Sequence, residues 1–288
     1  MLGRTIADSV LDPQLPLRLT LLILVLRPSA EGVVRGSTWL VACAALVIPP
    51  LARSSALWLT LSVLVMVRLI HDWPLADNHI YLLAYWCLGI GLCLRVPASV
   101  PAMATMSRWL VGGCFLCAVV WKGVLAPDFL DARFFRVALI TDDRFAPLAR
   151  AAGSLTAAQL QANRTALIGL PAGAEILDGP VLIEPPGLRR LGLALTWGGF
   201  LLECAIAWAF LSRRPRALHE ARHTLLMTFA LATYAAAPVA GFGWLLAAMG
   251  MAQSAAPRRR AAYLAVFAIV LVYAETPIVP YLLGAISP

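Results

Sequence analysis

The apolar positions of this chain gather into runs at roughly 15 to 27, 37 to 52, 55 to 70, 79 to 94, 108 to 125, 190 to 212, 222 to 252 and 261 to 285. Runs of that kind predict helices with lipid as their solvent. Several fall short of the ~20 residues that a ~30 Å hydrocarbon core takes, which implies local thinning, extension into the flanks, or half-helices. The run from 222 to 252 is longer and is interrupted around Pro238, Gly241 and Gly243. It predicts a hairpin or a re-entrant pair of short arms rather than one helix. At the front, Arg4 followed by an apolar stretch and Pro28 has the outline of a signal peptide, but Asp8, Asp12 and Arg18 break it, so it reads as a retained first span or an interfacial helix. The expected fold is all-α: a polytopic integral membrane helical bundle of about 8 to 9 transmembrane or re-entrant segments. It forms one domain over residues 1–288, with an outer-face insertion at 126–189 as its only extramembrane region, of about 60 residues.

Composition sharpens this expectation. A 288-residue chain with 61% hydrophobic and 13% charged residues exceeds the apolar surface a soluble domain can hide. Its net charge of +8 resides in arginines between the apolar runs, so the partner it implies is the lipid bilayer and not nucleic acid. Arg213, Arg214, Arg216 and Arg222 form one basic loop and Arg258 to Arg260 another, and both are expected on the cytoplasmic side. Counting back through the spans places 126–189 outside, Arg53, Arg95 and Arg108 inside, and the N-terminus in the cytoplasm, although Arg27, Arg35 and Arg68 then fall on the outer side. The localisation expected is the bacterial inner membrane, crossed several times. The outer segment holds six arginines against seven acids, as ordinary water-facing surface does. Within it, 155 to 167 reads as a helix, 173 to 179 and 184 to 187 read as turns, and Asn163 opens a glycosylation sequon.

The candidate chemistry begins with Lys122, the only lysine among 23 basic residues. Arginine does not release its proton at a useful pH, whereas a lysine in apolar surroundings can serve as a base; the competing reading is a basic side chain that snorkels to the headgroups. Asp77, Asn78, His79 and Tyr81 cluster at the start of a span that the topology places at the same outer face. There His79 can polarise a ligand oxygen or shuttle a proton with Asn78 fixing it, or the cluster is an interfacial belt capped by Asn78. Trp121 and Gly123 flank Lys122 with an aromatic wall and room for close approach. Glu203, about 20 Å into its span by helical rise, is expected near mid-membrane, either functional or paired with a neighbouring polar group. Trp197 with Gly198 and Gly199 allows close helix contact. Glu275 either orients Lys122 or ends a helix. Cys114 and Cys117 stand one turn apart, as a thiol redox pair requires, but in mid-span. The histidines make no recognised metal spacing, so no metal is expected.

Taken in order, Asp77 to Tyr81, Trp121 and Lys122 with Ala126 to Asp131, and Trp197 to Glu203 resemble the horizontally transferred transmembrane (HTTM) domain family, which includes the membrane half of vitamin K-dependent gamma-glutamyl carboxylase. The likeness runs from about residue 15 to 285. It implies a quinone or quinol cofactor near the outer, periplasmic face, with Lys122 as the base that deprotonates it and His79 and Asn78 as its hydrogen-bonding partners; Tyr81, Trp121 and Trp197 complete the expected cofactor surroundings. The chain departs from the family pattern at Thr233 to Ala237, where a Phe-His and a nearby Asn are missing, at Gly123, where a second lysine is missing, and in the large soluble region that captures peptide. Three functions therefore stand as expectations. The first is a quinol-coupled, carboxylase-like enzyme acting on a substrate that a membrane or periplasmic protein partner supplies. The second is a non-enzymatic accessory subunit binding a lipid, quinone or protein. The third is a thiol/quinone oxidoreductase using Cys114 and Cys117.

Overall fold

The structure, a computed structural model, describes residues 10–27, 32–71, 78–126, 128–168, 180–239 and 241–275. Among these residues every regular element is helical, so the all-α expectation holds. In chain order the α-helices are α1 (Leu15–Leu26), α2 (Gly32–Val47), α3 (Ser55–His71), α4 (Asn78–Cys93), α5 (Ser99–Val120), α6 (Arg133–Thr141), α7 (Ala146–Ala151), α8 (Ala157–Ile168), α9 (Pro186–Leu211), α10 (Arg216–Ala236), α11 (Phe242–Ala252) and α12 (Pro257–Val270). Two of them run on or end in π-helical turns, Trp121–Leu125 after α5 and Leu271–Glu275 after α12. Proline opens several elements, as at Pro186 and Pro257, because the first turn of a helix has no use for the missing N–H. The apolar run beginning at 108 is the later part of a helix that starts at Ser99, with Pro101 tolerated in its first turn.

Among the described residues two helices, Ser99–Leu125 and Pro186–Leu211, are long and apolar enough to cross a membrane, while Leu15–Leu26, Gly32–Val47, Ser55–His71, His79–Cys93 and Phe242–Ala252 are apolar but shorter. The described residues divide into two compact units. The first draws on Met1–Cys114, Ile206–Tyr234 and Val239–Pro288, the second on Phe115–Ala205 and Ala235–Pro238. The second unit is thus larger than the expected insertion at 126–189, because it takes in the ends of α5 and α9 that flank it.

In the first unit, α3 and α4 pack closely through small residues. A Cβ at Gly91 would lie 2.9 Å from Leu59 Cδ2, and Ser55 Oγ donates to Gly91 O at 2.6 Å. Ser62 Oγ donates to Ala84 O at 3.0 Å, so serine hydroxyls and bare backbone join the two helices. Trp86, fully buried, donates from Nε1 to Thr20 Oγ1 at 2.9 Å. The expected break in the 222–252 run falls between α10 and α11, where Gly241 takes a φ of 84° and Tyr234 OH donates to Val239 O and accepts from Gly243 N. The residues of α11 from Gly243 to Met251 are all buried, so this helix is apolar all round and lies inside its unit. Arg260 is buried and donates to Val10 O and Asp12 O, both at 2.6 Å. Arg222 is close enough to interact with Arg259 and Arg108. Arginines that charge alone assigns to one side therefore share one end of this unit with residues 10–12.

In the second unit, α6, α7, α8 and the first turns of α9 enclose Leu139, Ile140, Phe145, Leu155, Leu160 and Leu188, with Leu191 and Leu195 packed against them. Phe134, Phe135 and Phe145 meet edge to face beside Phe129. The helix expected at 155–167 is α8. Its Asn163 is buried, with Nδ2 donating to Ile183 O at 2.9 Å and Oδ1 accepting from Ile183 N at 2.7 Å. Both amide atoms are engaged in joining two chain segments, so the sequon is a structural staple and not a glycan acceptor. The turn expected at 173–179 lies outside the described residues; the one at 184–187 leads straight into α9.

Candidate functional site

The end of α5 changes its winding at Trp121. Ala126 N bonds to Trp121 O at 2.8 Å, a five-residue step, and the turn Trp121–Leu125 is π-helical. Such turns widen the helix and re-aim side chains, and they recur at functional positions. Within this one, Lys122 Nζ donates to Glu203 Oε1 at 2.6 Å. The lysine side chain is 26% exposed and the glutamate 8%. A charge-assisted bond of that length is strong, but taking both charges from water is costly, so the pair is weak evidence of stability and better evidence of use.

Aromatic rings surround the pair. Lys122 Nζ lies 5.1 Å from the centroid of the Phe129 ring, within the range of a cation–π contact. A Cβ at Gly123 would come 3.1 Å from Phe200 Cζ, so the glycine allows that ring to approach the backbone beside Lys122. Phe200 meets Trp197 edge to face at 6.1 Å. Thr196 and Glu203 are seven residues apart on α9, two turns along one face. Both are buried, and Thr196 Oγ1 and Glu203 Oε2 have no hydrogen-bond partner among the described residues.

The first turns of α9 are taken up in the core of the second unit through Leu188, Leu191 and Leu195. Glu203 also pairs with a lysine only three residues from Leu125, about 5 Å along the helix by its rise. The pair therefore lies near the end of the Ser99–Leu125 helix rather than at its middle.

The remaining candidates are placed as follows. His79, in the first unit, sits in the first turn of α4, partly buried, with its ring 6.3 Å from that of Phe242. It lies close to the backbone of the turn before α11, since a Cβ at Gly241 would be 3.7 Å from His79 Cδ2. Asn78 opens α4, and its side chain lies outside the described residues, as does that of Glu275 at the end of the second π-helical turn. Tyr81 is partly buried, whereas Trp121 and Trp197 are exposed. None of the six cysteines is in a disulfide; Cys117 is exposed and Cys114 partly buried. Among the described residues no group of His, Cys, Asp or Glu is arranged to hold a metal ion.

Sequence reasoning missed Phe129, Phe200 and Thr196. Phe129 and Phe200 lie inside stretches already singled out, and the seven-residue spacing of Thr196 from Glu203 was a usable signal. No protein-family model, no curated protein and no solved structure matches the chain.

Proposed function

We propose that the chain is a multi-span protein of the bacterial inner membrane, with a cytoplasmic N-terminus, and that Lys122 and Glu203 form a proton-handling site for a quinol near the periplasmic face. The reading of several spans is supported by composition and by large apolar side chains left exposed on helices, among them Val33, Leu40, Val63, Ile70, Trp109, Val124, Leu201 and Trp208. The shorter apolar helices then cross a thinned bilayer, enter it partway or extend through their flanks. The membrane function rests on the HTTM resemblance, and one observation carries the site: the only lysine of the chain is joined at 2.6 Å to a buried glutamate.

The residues present suit a flat, apolar headgroup that carries a hydroxyl. Phe129, Phe200 and Trp197 would hold its faces, and Glu203 Oε2 is a buried acceptor that the described residues leave unmatched. When bound, a quinol would supply, on oxygenation by molecular oxygen, the strong base with which a carboxylase-like enzyme removes a proton from a carbon acid, here a peptide or small molecule brought by a membrane or periplasmic partner. Lys122 and Glu203 hold and move the hydroxyl proton. His79, with Asn78, is a further cofactor partner on the resemblance alone. The test is quinol oxidation by membranes containing the protein: Lys122→Ala and Glu203→Ala are each expected to abolish it, and undiminished turnover in both variants overturns the reading.

A further inference from the structure

We infer that the proton-accepting atom of this site is Oε2 of Glu203 and that Lys122 is its charge partner. The inference rests on the reading of the pair as a proton-handling site and reverses the roles that the resemblance implies. A base must present a lone pair, but Lys122 Nζ is committed as a donor to Glu203 Oε1 at 2.6 Å and lies over the Phe129 ring, a position that attracts a cation. Glu203 has the opposite arrangement: Oε1 is occupied, while Oε2 is buried and receives no hydrogen bond from the described residues. Buried acceptors are nearly always matched, so Oε2 is the atom left for a donor that the described residues do not provide. An ammonium has three N–H donors, and one bond to Oε1 leaves two.

The division of labour follows from these valences. Glu203 Oε2 takes the proton of a bound phenolic hydroxyl; the O–H bond breaks, a carboxylic acid forms, and the electron pair stays on the hydroxyl oxygen. Lys122 counters the negative charge left there with a free N–H and keeps its own proton throughout. No electron is transferred in this step. Arginine can do what this role asks of Lys122, since it is always charged, but it cannot act as a base.

The experiment uses the full chain reconstituted in lipid, probed separately with a short-chain ubiquinol and with p-cresol, and reads infrared difference spectra, affinity and quinol oxidation. A carboxylic-acid C=O band is expected on binding in the wild type and in Lys122→Arg, and is expected to be absent in Glu203→Gln. The Gln variant should also bind p-cresol about tenfold more weakly, because a neutral acceptor replaces a charged one. Lys122→Met/Glu203→Gln, which strands no charge, shows whether any loss is a folding defect. A band that survives in Glu203→Gln, or a Lys122→Arg protein that loses turnover while Glu203→Gln keeps it, makes the amine the base and overturns the inference while leaving the quinol site standing. A band with p-cresol but not with ubiquinol sinks the quinol reading alone. No band with either probe in the wild type ends both.

Discussion

Breaking the Lys122–Glu203 pair from its two sides should have unequal costs. Lys122→Met leaves the Glu203 carboxylate with neither oxygen paired at 8% side-chain exposure, and stranding a buried charge costs about 3–5 kcal/mol. Glu203→Leu leaves an ammonium that is already 26% exposed, on a flexible stem that can turn to water or headgroups. After allowance for solvent screening, its cost should be about 1 kcal/mol. The double variant Lys122→Met/Glu203→Leu removes both charges and should fall within about 1 kcal/mol of the wild type, since apolar replacements of a buried pair are often neutral. The cycle then gives a coupling of about 3–7 kcal/mol. Equilibrium unfolding in mixed micelles, followed by tryptophan fluorescence, measures all four proteins. Equal costs for the two single variants, or a double variant equal to their sum, would refute the reasoning.

Asn163→Ala should lose the two hydrogen bonds that tie α8 to Ile183, at about 0.5–1.5 kcal/mol each, and hasten proteolysis within 128–168, and limited digestion reads this directly. Gly250→Ala should lower the melting temperature, because the added Cβ would run into the buried Tyr263 ring, an overpacking cost of about 1–3 kcal/mol. Asp142 gives a pH dependence: side-chain hydrogen bonds from Arg144 hold its carboxyl below the ordinary 3.8, burial opposes them, and the charges of Arg144 and Arg164 add to the lowering. Because the folded value is depressed, the stability it contributes is fully present above about 3.8 and is lost as the pH falls through the folded value. Hydrogen exchange around α6 and α7 should quicken in that acid range, and Asp142→Asn should flatten the profile.

The helices of the first unit were legible in the sequence because hydropathy alone marks them, as did the break at Pro238 and Gly241, where a helix has no means to continue. The early start of α5 was not legible, since Arg108 and the Ser, Thr and Pro residues before it lower the hydropathy without preventing a helix. Within residues 126–189 only α8 carried a readable pattern; α6 and α7 are short and owe their form to the tertiary core around Leu139 and Phe145. The site was half legible. Lys122 and Glu203 were each conspicuous, as a lone lysine and as a carboxylate in an apolar run. Their pairing was not, because they are far apart in sequence and the register of one helix against another depends on packing that no local pattern encodes; Glu275 was as natural a partner on paper. The π-helical turn that carries Lys122 left no mark in the sequence beyond Gly123.

The most direct test of the central claim, that Lys122 and Glu203 together form a proton-handling site, is the rate of quinol oxidation in membranes carrying Lys122→Ala, compared with wild type at equal protein level. The account predicts that turnover falls to the background of membranes lacking the protein. Turnover equal to wild type would contradict it.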